Sequence, residues 1–283
     1  MVLRLLCALA LFVAFLFCLA VYGFYTSVRP LRRLSGKTPV DLGLEYENVI
    51  FTTEDGLKLE GWLIPRRKSK KAVVCLHGYP FDKGSILDVS SFLRNKFSLL
   101  YFDFRYLGKS QGKYTSIGYH EVKDVRAAVE FLLGRGYKRI GLIGFSMGAA
   151  TAIMEASQNA SINAVVSDSS YSTLDRLVYD KYRCLGPLRY PLGMVTKLIS
   201  MIFMKVDPAS VSPEKAIRSL DIPVLIIHGD SDREISIDNA RYLYNASSSA
   251  SLWVVRGVDH CGAHAGKTGE YEKKVLSFFE KSL

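Results

Sequence analysis

Cysteine is scarce in this chain and badly placed for cross-linking. There are five, an odd number, and Cys7 and Cys18 lie in an apolar N-terminal segment. Cys75, Cys184 and Cys261 follow no spacing that makes a disulfide framework or a zinc site, so neither a stapled secreted scaffold nor a metal finger is expected. Cys75 sits inside an apolar run and reads as core. Internal repeats and low-complexity blocks are also missing, and so is any nucleic-acid motif. The formal charge is +10, but the basic residues are scattered, and no nucleic-acid partner is expected. Their densest cluster, Arg66, Arg67, Lys68, Lys70 and Lys71, falls between two strand-like runs. It reads either as a solvated turn or as a contact for anionic lipid headgroups.

What is present is hydrophobic mass: 283 residues, 49% of them hydrophobic, enough for one large α/β domain and an appendage. The appendage is N-terminal. Leu5 to Tyr25 is an uncharged apolar run of about 21 residues, long enough to cross a hydrocarbon core as a helix. Tyr22 and Tyr25 fall where an interfacial aromatic belt would lie. A cleaved signal peptide has a shorter apolar region and a small-x-small site, which is not evident here, and Leu16-Phe17 before Cys18 is a poor lipoprotein box. Residues 1–28 are therefore expected to be an uncleaved single-pass membrane anchor. Arg4 precedes the run, and Arg29, Arg32, Arg33 and Lys37 follow it, which leans the catalytic domain toward the cytoplasm. Residues 29–45, broken by Pro30, Gly36, Pro39 and Gly43, read as a linker, and 46–283 as the folded domain.

Within that domain, Glu47 to Thr53 and Lys58 to Ile64 read as strands joined by the turn Glu54-Asp55-Gly56. Further strand-like runs follow at Ala72–Leu76, Ser98–Phe102, Arg139–Ile143, Ile162–Ser167, Val224–Ile227 and Leu252–Val255. Helical stretches separate them, including Val122–Leu133 and a closing Glu270–Lys281. A hairpin followed by alternating strands and helices implies a mostly parallel sheet covered on both faces, with functional loops at the strands' carboxyl ends. Residues 171–219 break the alternation. With Pro187, Pro191, Tyr179, Tyr182, Tyr190 and the apolar run Met194 to Met204, they read as rim helices or as a cap shaping an apolar acyl pocket.

The chemistry lies at Gly144-Phe145-Ser146-Met147-Gly148, directly after an apolar strand and before the small-residue stretch Ala149, Ala150, Ala152 and Ile153. A serine between two glycines at a strand-to-helix turn describes a nucleophile elbow. The tight turn leaves no room for side chains at Gly144 and Gly148. It also leaves the Met147 N–H at a helix N-terminus, facing a developing oxyanion. A second donor is expected from the Tyr79 N–H, where His77-Gly78 ends a strand.

Serine needs a general base, and the base needs an orienting acid. Among five histidines, His77, His120 and His228 read as supporting or surface residues. His260 and His264 follow the last strand, and His260 lies on the shorter loop. Asp232, Asp230 and Asp168 compete for the acid, with Asp232 leading. No metal or organic cofactor is expected.

His77-Gly78, Asp103-x-Arg105-x-x-Gly108-x-Ser110, the serine motif, His228-Gly229-x-x-Asp232 and Asp259-His260 occur in that order over residues from about 47 to 283. Together they resemble the serine aminopeptidase and monoacylglycerol-lipase-like branch of the α/β-hydrolases, including its membrane-anchored members. The resemblance implies an α/β-hydrolase fold with a mostly parallel eight-stranded sheet, helices on both faces and a helical cap. It also implies a Ser146–Asp232–His260 triad acting through an acyl-enzyme on a small-molecule acyl substrate. Tyr106 departs from the pattern, standing where relatives often carry glycine. Ester hydrolysis with apolar acyl groups is the expected activity. A thioesterase, a peptidase or amidase, or a non-catalytic membrane-tethered module of the same fold are the alternatives.

Overall fold

The computed structural model describes residues 1–283. Its strands are β1 (Glu47–Thr52), β2 (Lys58–Ile64), β3 (Lys71–Leu76), β4 (Ser98–Phe102), β5 (Arg139–Phe145), β6 (Ile162–Asp168), β7 (Val224–Gly229) and β8 (Ala250–Val255). They form one eight-stranded sheet in the order β1-β2-β4-β3-β5-β6-β7-β8. The β1–β2 and β2–β4 pairings are antiparallel, and the rest are parallel. The helices are α1 (Val2–Val28), α2 (Leu87–Ser90), α3 (Glu121–Gly134), α4 (Met147–Ala156), α5 (Leu174–Asp180), α6 (Arg189–Phe203), α7 (Pro213–Ala216), α8 (Asp238–Ala246), α9 (Ala263–Gly266) and α10 (Thr268–Ser282).

The apolar runs become strands because both faces of the sheet are covered. In β3, Ala72, Val74 and Leu76 enter the core under α3, α4 and α8. Val73 and Cys75 enter the opposite core under α2 and α10. Burying each Val or Leu contributes roughly 1.5–3 kcal/mol, so this one strand joins both layers. The parallel strands all deliver their carboxyl ends to one rim, where residues 77–79, 145–147, 168–169, 229–235 and 256–262 gather. The insertion between β6 and β7 contains α5, α6, α7 and short 3-10 turns but no strand, and it roofs that rim. The basic cluster 66–71 bends from β2 into β3 at the opposite end of the sheet, largely exposed.

The segment after α1 differs from a free tether. Thr115 N–H donates to Val28 O at 2.9 Å, Tyr106 Oη donates to Pro30 O at 3.1 Å, and Ser35 N–H donates to Asp82 Oδ2 at 3.1 Å. The Arg32 guanidinium lies 5.0 Å from the centre of the Tyr106 ring. These partners are dozens of residues away along the chain, which is why the local breakers read as a loose linker. Tyr106 has a φ of +66°, the left-handed conformation that glycine adopts most easily. Its hydroxyl and ring hold the strap at Pro30 and Arg32.

Candidate active site

Ser146 is at the carboxyl end of β5 and caps α4 with a φ of +54°. A β-carbon on Gly144 would lie 2.3 Å from Gly148 O, and one on Gly148 would lie 2.4 Å from Leu76 O. Both are overlaps with backbone, so the elbow closes only with glycine at the two positions. Ser146 N–H donates to Asp168 O at 2.8 Å, fixing the turn to the end of β6. Met147 opens α4, and its N–H is among the first-turn donors that a helix leaves without an internal acceptor.

The opposing loop follows β3. Gly78 faces Ser146 so closely that an added β-carbon would sit 3.3 Å from Ser146 Cβ. The buried His77 holds this loop. Its Nδ1 donates to Gly78 O at 2.8 Å and its Nε2 accepts the Phe104 N–H at 3.0 Å. That pairing requires a neutral ring, and burial lowers the imidazole's proton affinity accordingly. Tyr79, next in the loop, lines the cavity that Ser146 lines.

His260 and Asp232 come together from the loops after β8 and β7. His260 Nδ1 is 2.7 Å from Asp232 Oδ2. Asp232 Oδ1 also accepts the N–H groups of Glu234 and Ile235 at 2.9 and 2.8 Å. His228, buried at the end of β7, places Nε2 3.3 Å from Asp232 Oδ2. Burial raises the Asp232 carboxyl, but the hydrogen bonds from His228, His260 and Ile235 outweigh it and hold the group well below the usual carboxylate range. Burial lowers the His260 imidazole, and the Asp232 hydrogen bond reverses that and raises it.

The competing residues have other partners. Asp230 accepts the Gly257 N–H at 2.7 Å and ties the two loops. Asp168 accepts the Tyr271 and Ser169 hydroxyls, each at 3.0 Å. His264 pairs with Glu272 at 3.2 Å beside α10. His120 stands at the start of α3 without capping it.

Ser146 opens into a cavity of about 330 Å³ beneath the insertion. No hydrogen bond joins Ser146 Oγ to His260, whose Nε2 lies 3.9 Å from Oε2 of Glu234, a residue lining the same cavity. The walls are mostly apolar, including Leu174, Leu177 and Val178 of α5 and Met204 after α6. Phe24 and Val28 of α1 line it too, and no feature of the motif-bearing segments pointed to them. The local signal is Gly23, the one glycine of the helix.

A serine on a strained strand-to-helix turn, above a parallel sheet with a histidine–aspartate pair on neighbouring loops, defines the hydrolase class of α/β proteins. The family model described as alpha/beta hydrolase fold matches residues 71–181. The solved esterase Pf2001 of Pyrococcus furiosus is 32% identical with a TM-score of 0.75, covering 90% of this chain and 98% of its own. The protein YfhR of Salmonella typhi is 25% identical, covering 97% of this chain and 95% of its own length. The thiohydrolase aneE of Aspergillus aculeatus is 33% identical over 129 residues, 43% of this chain and 41% of its own. The chain belongs to the alpha/beta hydrolase family.

Proposed function

We propose that the protein is a membrane-anchored serine hydrolase that cleaves carboxylic esters with apolar acyl groups. Ser146 is its nucleophile, His260 its general base and Asp232 its orienting acid. The observation that carries this reading is the 2.7 Å contact between His260 Nδ1 and Asp232 Oδ2 on the rim where Ser146 opens into an apolar cavity. Ser146 Oγ attacks the acyl carbonyl while His260 Nε2 takes the hydroxyl proton. The N–H groups of Tyr79 and Met147 receive the oxyanion, each donor lowering the barrier by about 3–4 kcal/mol. The departing alcohol takes the proton from His260. Water then attacks the acyl-enzyme by the same route, releasing the acid and restoring Ser146. Contacts between base and nucleophile are commonly long in an empty site and tighten with substrate. The ordered motifs support the serine aminopeptidase and monoacylglycerol-lipase-like branch, and the esterase likeness supports ester chemistry.

The length and apolar character of α1, a 27-residue helix with high mean hydropathy, support the anchor. The basic residues that follow it favour a cytoplasmic domain. Thioester hydrolysis is the second reading, favoured by the likeness to a thiohydrolase. Fluorophosphonate labelling of the wild type and of Ser146→Ala tests the assignment. Label is expected only on the wild type, with turnover in the variant down on the order of a million-fold. Equal labelling of both, or none on folded wild type, overturns it. Matched oxoester and thioester series then choose between the two readings.

A further inference from the structure

We propose that α1 is a wall of the acyl site as well as an anchor: its last turn closes one side of the cavity and sets the acyl-chain length accepted. This rests on the ester hydrolysis proposed above. Phe24, Ser27 and Val28 of α1 line the cavity that opens at Ser146, together with residues of α5 and α6. An acyl group on Ser146 that fills this cavity meets α1.

The last turns of α1 are seated closely against the catalytic domain. Ala20 is fully buried with Tyr182, Leu192 and Ile199. A β-carbon on Gly23 would sit 2.7 Å from Tyr182 Oη, which in turn lies 2.9 Å from Thr196 Oγ1 on α6. Lys181 Nζ donates to Gly23 O at 2.9 Å and to the Ser27 hydroxyl. The bond from Thr115 N–H to Val28 O fixes the end of the helix beside Ser116 and Ile117, which also line the cavity. Position along the cavity is thus set by contacts at both ends of the docked segment.

The docking is compatible with a bilayer. Leu16 is the first residue of α1 to pack on the domain, so only about fourteen residues of the helix stand clear of it, short of the roughly 20 that a hydrocarbon core requires. The remainder of the span coincides with the stretch resting on α6. There α6 turns Met194, Leu198, Met201, Ile202 and Phe203 outward, each 48–78% exposed. The wall between acyl site and lipid is one helix thick.

The test uses the full chain in nonionic detergent and p-nitrophenyl esters from acetyl to palmitoyl. Phe24→Ala enlarges the space and is expected to raise the long-to-short ratio of kcat/KM about tenfold, whereas Val28→Phe lowers it about tenfold. Both changes should fall mainly in KM for long esters. Phe17→Ala, on an exposed part of α1, leaves the ratio at its wild-type value. A second measurement needs no substitution. A fluorophosphonate with a photoreactive group at the end of a long alkyl chain is attached to the wild type and irradiated. Adducts are expected on the peptide containing Phe24 to Val28. Ratios within twofold of wild type in both active variants, or adducts confined to other segments, overturn the wall while leaving the esterase intact. A folded wild type that neither labels nor turns over any ester overturns both.

Discussion

Ser169 Oγ accepts the backbone N–H of Cys261 at 3.0 Å. One residue earlier, Asp168 O accepts the N–H of Ser146 at 2.8 Å. The end of β6 thus holds the Ser146 turn and the His260 loop through adjacent residues. Ser146, Ser169 and Cys261 have φ values of +54°, +56° and +51°, conformations that cost roughly 1–3 kcal/mol each for residues with a side chain. Ser169→Ala removes the acceptor for Cys261. It should lower stability by about 1 kcal/mol and kcat about tenfold with little change in KM. Ser169→Gly should recover stability, through relief of φ, but not rate. Thermal denaturation and ester kinetics measure the pair; wild-type kcat in both variants would rule out a positioning role for this bond.

In the proposed mechanism proton transfer requires a neutral His260, and Asp232 raises the proton affinity of that ring above its ordinary 6.5. The rate should therefore climb with pH along a limb centred above 6.5. Asp232→Asn withdraws the stabilising charge, so its limb moves to lower pH while turnover falls about ten-thousand-fold. Asp230→Asn and Asp168→Asn should each stay within tenfold of wild type. A pH profile of kcat/KM for the four proteins distinguishes the three carboxylates, and a larger loss from either of the latter two would reassign the acid.

The buried Asp168 carboxyl titrates in the opposite sense to that of Asp232. Burial pushes it up to about 6 from 3.8. Between those values the folded protein retains a proton that the unfolded chain has released, so stability falls as pH rises through the window, by about 3 kcal/mol in all. Asp232, depressed, contributes stability above its ordinary value that is lost as pH falls through its lower folded value. Asp168→Asn should flatten the decline between pH 4 and 6.5 in urea unfolding, and an unchanged slope there would contradict the assignment.

Gly148→Ala places a methyl against Leu76 O and His77 O. Both are backbone atoms that can move only by parting β3 from the elbow. The substitution should cost upwards of about 3 kcal/mol and abolish fluorophosphonate labelling. Gly269→Ala in α10, where an added β-carbon meets nothing within 4 Å, should be neutral or slightly stabilising. Urea midpoints of the two variants provide the comparison.

Much of this arrangement was legible from local pattern. Apolar runs bounded by turn residues located β3 to β7, because burial on two faces leaves an uninterrupted hydrophobic signature. The alternating β1 and β2 were located by the turn that joins them. β8 began two residues earlier than expected, at Ala250, because its first half is less buried and Ala250 and Ser251 carry no such run. That Asp232 and His260 meet, at 2.7 Å, was readable because both follow strands, whose ends the fold must bring to one rim. Three things were not legible. The docking of residues 29–38 depends on Tyr106 and Asp82, far along the chain. Ser169 acts through a single oxygen, which no periodicity reveals. The share of α1 in the cavity arises from packing between a helix read as lipid-facing and an insertion whose tertiary placement has no local code.

The strap from Val28 to Ser35 leaves no swivel between α1 and the hydrolase body. As the proposed anchor, α1 would hold the hydrolase body at one attitude and one height over the membrane. For the proposed esters of apolar acids, supply would then be governed by amount per unit of membrane area, not by concentration in the surrounding water.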